Sequence, residues 1–541
     1  MHSLKIPIFI VLTLTGLFVT CSWAGVIQEN EGPWVVRAYY DNFESIRELA
    51  SWRTPWTVDR EGGFAVVEAD GPEDVEILRK MGFRVQIDTE KTDRYFHRRK
   101  ALAESPGTIP GHPCYRTVEE TYLAAQRICA SHPDLAEWIY IGDSWERTMD
   151  AGRGYALHVL KLTGSGERGK KPAMFVMASI HAREYTPAEL CTRFAEYLVA
   201  NYGLDADVTW LLDHTEIHLL PVPNPDGRKI AESGNLWRKN TDEALCRSSD
   251  HRGIDLNRNF EFEWGCCGGS SRVPCDDVYR GQFSASEPEV KAVQAYLRRV
   301  FPAKKDAGIS APAPVSTPGL FVDLHSYSSL VLWPWSYTQD PAPNGTALQR
   351  LGRKLAFFNN YRPEQDSTMY VVDGASDDFT YGEFGIASFT FELGTDFFQD
   401  CSTFENTILP QNIQALIYAA KVARSPYKTP RGPDIIGLEM SRTEKGFKIA
   451  AVVDSTRYNN SNGTEPVRRI SGAQLFIDTP PWSPSAKPVH MPLCSASDIS
   501  TGKAEIEIDS ASLSPGRHML YLRGCNIKGD QGAVSAFFLD R

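Results

Sequence analysis

Residues 173–180 read Ala-Met-Phe-Val-Met-Ala-Ser-Ile, an apolar run without polar alternation. A strand with one wet face alternates, whereas a strand covered on both faces does not, and such strands belong to sheets packed between helices. The following segment, 187–202, carries its apolar residues at helical period. Residues 216–222 are strand-like and stop at Pro-Asn-Pro-Asp-Gly, a turn sequence. Two more short apolar strands lie at 320–324 and 388–393. This alternation across residues 113–424 predicts an α/β domain with a mixed, mostly parallel sheet flanked by helices.

The chain has 541 residues, more than one such domain needs, and its flanks differ in character. At the start, Lys5 precedes an apolar run over 6–19 and small residues over 22–25. That pattern predicts a signal peptide over 1–24, cleaved after Ala24, and a secreted or periplasmic protein. The run is shorter than the roughly 20 residues that span a bilayer. Within 25–112 the pattern predicts a small α/β domain with strands at 34–40, 64–68 and 83–87 and helices at 43–52 and 72–81. Arg98-Arg99-Lys100 follows. A small domain followed by an exposed basic stretch is the layout of a zymogen, and equally that of a domain on an ordinary linker. Residues 425–433 are rich in Pro, Lys and Arg and read as a linker. Residues 434–541 hold short alternating stretches between Gly, Pro, Asn and Asp turns, the pattern of a β-sandwich.

A net charge of −11 disfavours nucleic acid and anionic membranes as partners. Eleven cysteines become ten without Cys21, and an even number in an exported chain predicts disulfides. No CxxC metal pattern occurs. Cys266 and Cys267 are adjacent, so a distant partner is expected for each, and Cys494 and Cys525 are a candidate bridge within the sandwich.

Four features carry chemistry. His181 and Glu184 stand three apart directly after the 173–180 strand, and both are zinc-ligand types. His325 directly follows the 320–324 strand, and ligands gather outside the carboxyl ends of strands in open α/β sheets. Glu392 lies inside Ser-Phe-Thr-Phe-Glu-Leu, where burial moves a carboxylate toward the pKa of a general base. Arg238 and the Asn257-Arg258 pair lie on turns, and arginine grips a carboxylate with two parallel hydrogen bonds.

Taken in order, HAREYTPAEL, PNPDGR, LWRKN, DLNRNF, DLHSYSSLVLWP and SFTFELG resemble the zinc metallocarboxypeptidases of the pancreatic A and B type, including bacterial secreted members. The resemblance covers roughly 113–424 and implies a peptidase that acts on the C-termini of peptides and proteins. It implies one Zn2+ held by His181, Glu184 and His325, with Glu392 as general base on the zinc-bound water. Arg238 corresponds to the oxyanion stabiliser. Asn257, Arg258 and Tyr370 correspond to the clamp on the terminal carboxylate, and Arg183 and Tyr327 to the neighbouring subsite. Asp377 falls where the B type carries the aspartate that selects Lys or Arg, although Asp377-Asp378 also reads as a helix cap. The resemblance further implies a Cys246–Cys275 disulfide and an inhibitory prosegment within 25–112. The segment 434–541 has no counterpart in the pancreatic enzymes. The same scaffold on bacterial cell-wall peptides is one alternative, and a non-catalytic binding module is another. The retained ligand types, base and carboxylate clamp favour catalysis on ordinary peptides.

Overall fold

The computed structural model describes residues 32–97, 109–166, 170–301, 308–496 and 499–541. The signal-peptide reading over 1–24 and the Arg98-Arg99-Lys100 stretch lie outside the described residues.

The first sheet contains β1 (Trp34–Tyr39), β2 (Thr57–Asp59), β3 (Phe64–Ala69) and β4 (Arg84–Ile87) in the order β2-β3-β1-β4, with every pairing antiparallel. Helices Glu44–Ala50 and Pro72–Lys80 cover one face through Ile46, Leu49, Val75 and Leu78. Pro72 sits in the first turn of the second helix, where its missing N–H costs nothing.

The central sheet holds β5 (Ala136–Asp143), β6 (Ala156–Leu162), β7 (Ala173–Ala178), β8 (Glu216–Leu220), β9 (Leu320–His325), β10 (Leu330–Trp333), β11 (Arg362–Gln365) and β12 (Ala387–Glu392). Their order is β11-β10-β12-β9-β7-β8-β6-β5. The inner pairings β12–β9, β9–β7 and β7–β8 are parallel, so four strands end at the same edge, three of which, β7, β9 and β12, lead into the site. The predicted mixed sheet flanked by helices is what forms.

The apolar run of β7 has a direct physical cause. Met174, Val176 and Ala178 enter a core shared with helices Tyr185–Asn201 and Leu409–Val422. Ala173, Phe175 and Met177 enter the opposite core, shared with helices Pro288–Val300 and Ser376–Phe384. Each full burial of such a side chain contributes about 1.5–3 kcal/mol. A polar residue anywhere on β7 would face one of the two cores.

The C-terminal segment folds as two four-stranded antiparallel sheets. One comprises β13 (Asp434–Arg442), β14 (Gly446–Asp454), β17 (Leu493–Ala496) and β18 (Thr501–Asp509). The other comprises β15 (Ile470–Ile477), β16 (Val489–Met491), β19 (Arg517–Asn526) and β20 (Ser535–Asp540). Ile449, Val453, Leu475, Leu520 and Leu539 interlock between them. This pair is fastened to the central unit by the buried Lys354–Asp434 ion pair at 2.7 Å and by Arg353–Glu465 at 3.2 Å. The preceding segment 425–433 is packed, with Tyr427 buried and its hydroxyl donating to Gly385 O at 2.9 Å.

Disulfides join Cys114 to Cys401, Cys246 to Cys275, and Cys266 to Cys267. The second is the bridge the resemblance implies. The third corrects the expectation of distant partners. The loop is wrapped on Asp373, which accepts from the N–H groups of Gly265, Cys267 and Gly269, and the two sulfurs meet each other there. Cys494 and Cys525 are both free, because Cys494 is exposed on β17 and turned away from the sandwich interior.

Candidate active site

Three strand ends build the site. After β7 the chain turns at Ser179, which has a left-handed φ of 53°. Ser179 Oγ donates to Glu184 O at 2.7 Å and accepts from Ala188 N at 3.0 Å. One hydroxyl thus pins the His181–Glu184 loop onto the start of the helix Tyr185–Asn201. His325 closes β9 and Glu392 closes β12, and these two are register partners.

His181 Nδ1 lies 2.8 Å from Glu184 Oε1 and 3.1 Å from His325 Nδ1. His325 Nδ1 lies 3.2 Å from Glu184 Oε2. All three residues are buried. Two imidazole nitrogens facing each other cannot both hold a proton. A tetrahedral zinc with bonds of about 2.0–2.1 Å brings its ligand atoms to separations of roughly 3.3 Å. Two neutral imidazoles and one carboxylate also form a known catalytic donor set that leaves a fourth position open. The residues present therefore fit zinc. Among the described residues one other cluster, Glu263 with Cys266 and Cys267, has metal-ligand types, but its sulfurs are bonded to each other.

Two carboxylates behind the histidines were not foreseen from the sequence. His181 Nε2 stands 3.2 Å from Asp255 Oδ1, and His325 Nε2 stands 3.0 Å from Asp323 Oδ2, the latter off the line of a hydrogen bond. Asp255 thereby settles which ring nitrogen of His181 carries the proton and leaves its Nδ1 for a metal, while Asp323 places a carboxylate behind His325. Asp255 also accepts from Arg238 Nε at 3.0 Å and Nη2 at 2.8 Å. Burial opposes its charge, but Arg238, Arg258 and His181 outweigh it and hold Asp255 well below the usual carboxylate range. The available signal was a carboxylate inside an otherwise apolar strand at Asp323, and one two residues before Asn257 at Asp255.

A cavity of about 70 Å³ is lined by His181, Glu184, His325, Arg238, Asn257, Arg258, Tyr327, Tyr370 and Glu392. Arg183 lies next to it, 1% exposed, with its guanidinium 4.4 Å from the centre of the Phe397 ring. Its Nε and Nη2, and the Tyr327 hydroxyl, are buried without a hydrogen-bond partner among the described residues. Burial, reinforced by Glu184 and Asp366 against His325, pushes Glu392 up to about 8. Asn257 Oδ1 accepts from Ser376 N at 2.9 Å, which fixes the orientation of its amide. Arg258 donates Nε to Gly269 O at 3.1 Å and Nη1 to Asn257 O at 3.0 Å. Gly374, at φ +70°, lets the 371–375 loop pass so close that a Cβ there would sit 2.4 Å from Arg258 O. Asp377 is brought near but does not line the cavity: it is 1% exposed and lies 3.3 Å from Ser336 Oγ.

The first domain roofs this cavity. Thr54, Pro55 and Trp56 contribute to its lining, and Trp56 packs edge-on to Phe397 at 5.3 Å. Thr54 N donates to Asp277 Oδ2 at 3.2 Å, and Glu68 faces Arg183 at 3.8 Å. Tyr95 donates to Asp396 Oδ1 at 2.6 Å.

A buried His-Glu-His cluster at the carboxyl ends of a mixed sheet has the donor set of a catalytic zinc site. The family model described as zinc carboxypeptidase matches residues 122–413, and this chain belongs to that family. It is 32% identical to carboxypeptidase A1 of Rattus norvegicus over 59% of this chain and 70% of that one. It is 32% identical to carboxypeptidase B2 of Bos taurus over 57% of this chain and 70% of that one. The crystal structure of thrombin activatable fibrinolysis inhibitor aligns with TM-score 0.55 and 25% identity over 72% of this chain and 98% of that one. The carboxypeptidase A from Helicoverpa armigera shares the fold, with TM-score 0.59 and 19% identity over 73% of this chain and 98% of that one. The protein is a zinc metallocarboxypeptidase that takes one catalytic zinc and hydrolyses peptides at their C-termini.

Proposed function

We propose that this chain is an exported carboxypeptidase zymogen that releases C-terminal residues one at a time, with a preference for Lys and Arg. The observation that carries the reading is one cavity shared by His181, Glu184, His325 and Glu392, beside buried donors on Arg183 that lack a partner among the described residues. Export is supported by the apolar run at 6–19. Among the described residues no helix is long and apolar enough to cross a membrane. Inhibition by the domain within 25–112 is supported by Thr54, Pro55 and Trp56 in the cavity lining.

His181, Glu184 and His325 would hold the zinc, which when bound polarises the scissile carbonyl and acidifies water. Glu392 takes the proton of the attacking water and returns it to the departing amine. Arg238 spends Nε and Nη2 on Asp255 and keeps Nη1 for the developing oxyanion. A preorganised donor of this kind is typically worth about 3–4 kcal/mol in the transition state. Asn257 Nδ2, Arg258 Nη2 and the Tyr370 hydroxyl take the terminal carboxylate. Arg183 and Tyr327 donate to the preceding peptide group. Asp377 supplies negative charge below the terminal side chain.

The test uses the full-length chain after limited trypsin treatment, with peptides that differ only in a free or amidated C-terminus. Release of the last residue from the free form alone, lost with a chelator and restored by zinc, is the expected outcome. Equal cleavage of the amidated peptide would sink the carboxylate-clamp assignment. High activity in the untreated chain would sink the zymogen assignment.

A further inference from the structure

Three carboxylates, the buried Asp377 and Asp378 and the half-buried Asp366, converge beside the catalytic cavity. Asp378 is fully employed, accepting from Ser336 N at 3.0 Å and Tyr337 N at 3.1 Å. Asp366 and Asp377 instead meet at one hydroxyl. Ser336 Oγ lies 2.7 Å from Asp366 Oδ2 and 3.3 Å from both oxygens of Asp377. A hydroxyl has one proton to donate, and the shorter contact goes to Asp366. Among the described residues, none of the three carboxylates has an ion-pair partner, and Arg258 and His325 act on Asp366 only at longer range. A buried carboxylate without a counter-ion is costly. Here two of them share a hydroxyl with no protein cation between them.

Their exposure differs in a decisive way. Asp377 is 1% exposed and absent from the cavity wall. Asp366 is only half-buried and forms part of that wall, beside Leu332, Val372, Ala375 and Thr390. Leu332, Val372 and Ala375 thus give this cavity an apolar portion, and Asp366 joins them in its lining. An apolar portion suits the methylene stem of a long cationic side chain, and a carboxylate beside it suits its charged head.

We infer that Asp366, seated on β11's exit and joined to Asp377 through Ser336, is the residue that contacts the cationic side chain of the C-terminal Lys or Arg. Asp377 acts from behind by holding Ser336. This rests on the basic-preference reading above and assigns its direct contact to a different residue. Ionised Asp366 accepts from the guanidinium or ammonium.

The experiment measures kcat/KM on peptides ending in Arg, Lys and Phe. It uses the trypsin-treated full-length chain and the substitutions Asp366→Asn, Asp366→Ser and Asp377→Asn, with zinc content and thermal midpoint recorded for each. Loss of a charge-assisted hydrogen bond predicts that Asp366→Asn lowers the Arg-to-Phe ratio by about tenfold or more. Asp366→Ser, which is smaller and uncharged, should lower it at least as far. A ratio within about twofold of the unmodified enzyme, or Arg and Phe release falling together, would overturn the inference by marking Asp366 as structural or silent. An Asp377→Asn ratio that collapses while both Asp366 variants keep theirs would assign the contact to Asp377 alone. If the unmodified enzyme releases Phe in preference to Arg and Lys, the basic-preference reading fails, and the inference fails with it. If it prefers Arg and the Asp366 variants do too, that reading stands and only the Asp366 assignment is lost.

Discussion

His181 Nε2 and Asp255 Oδ1 stand 3.2 Å apart at full burial, and the other oxygen of Asp255 holds Arg238. One carboxylate therefore orients both a zinc ligand and the residue aimed at the oxyanion. Asp255→Asn keeps the shape and removes the charge. Zinc affinity should fall about 10–100-fold, as for other partners behind metal-bound histidines. Competition with a chelator measures it, and an unchanged zinc affinity would remove Asp255 from this role.

Glu392 shares the cavity but contributes no atom to the three-ligand cluster. Glu392→Gln should bind stoichiometric zinc while kcat falls by about 10²–10⁴, the usual contribution of a general base. Metal analysis and steady-state rates on one preparation decide it. Substantial activity in the variant refutes the base assignment.

Glu68 links pH to the roof over the cavity. Burial, then Asp70, push it up to about 7 from 4.5, against the pull of Arg183 and Arg53. The docked form thus keeps a proton that the undocked form sheds at lower pH. Docking is strongest at low pH and weakens as pH rises through about 7. Trypsin sensitivity of the full-length chain should rise between about pH 6 and about pH 8 more steeply than in Glu68→Gln. Parallel profiles in the two proteins would exclude Glu68 as the cause.

Lys354 and Asp434 are 0% and 3% exposed, and their pair ties the sandwich to the catalytic unit. Lys354→Met leaves the buried Asp434 carboxylate with only Arg457 at 3.8 Å and should cost up to about 3–5 kcal/mol in denaturant unfolding. The double change Lys354→Met with Asp434→Leu should recover most of that loss. A single variant as stable as the parent would mean the interface relaxes around the charge.

Much of the central domain is readable residue by residue. The run at 173–180 is apolar throughout because successive side chains of β7 enter two different cores. His325 and Glu392 stand out because each ends a mostly apolar strand, and His181 because it follows one within three residues. Thr57–Asp59, Val489–Met491 and Leu493–Ala496 were not foreseen as strands. Segments of three or four residues carry too little period to read, and pairing with a neighbour creates them. The Cys266–Cys267 bridge was hidden for a related reason, since loop geometry around Asp373 determines which sulfurs meet.

By itself the chain's order of residues determined the α/β plan, the two histidines and the glutamate that would hold zinc, and the family. Burial on both faces of a strand and metal-ligand chemistry each leave a mark on residue type at close spacing. Tertiary structure alone decided that Asp255 serves His181 and Arg238 together, that Asp366 rather than Asp377 lines the cavity, and that Trp56 roofs it. Those relations join positions far apart along the chain, and no local pattern of polarity encodes a distance between them.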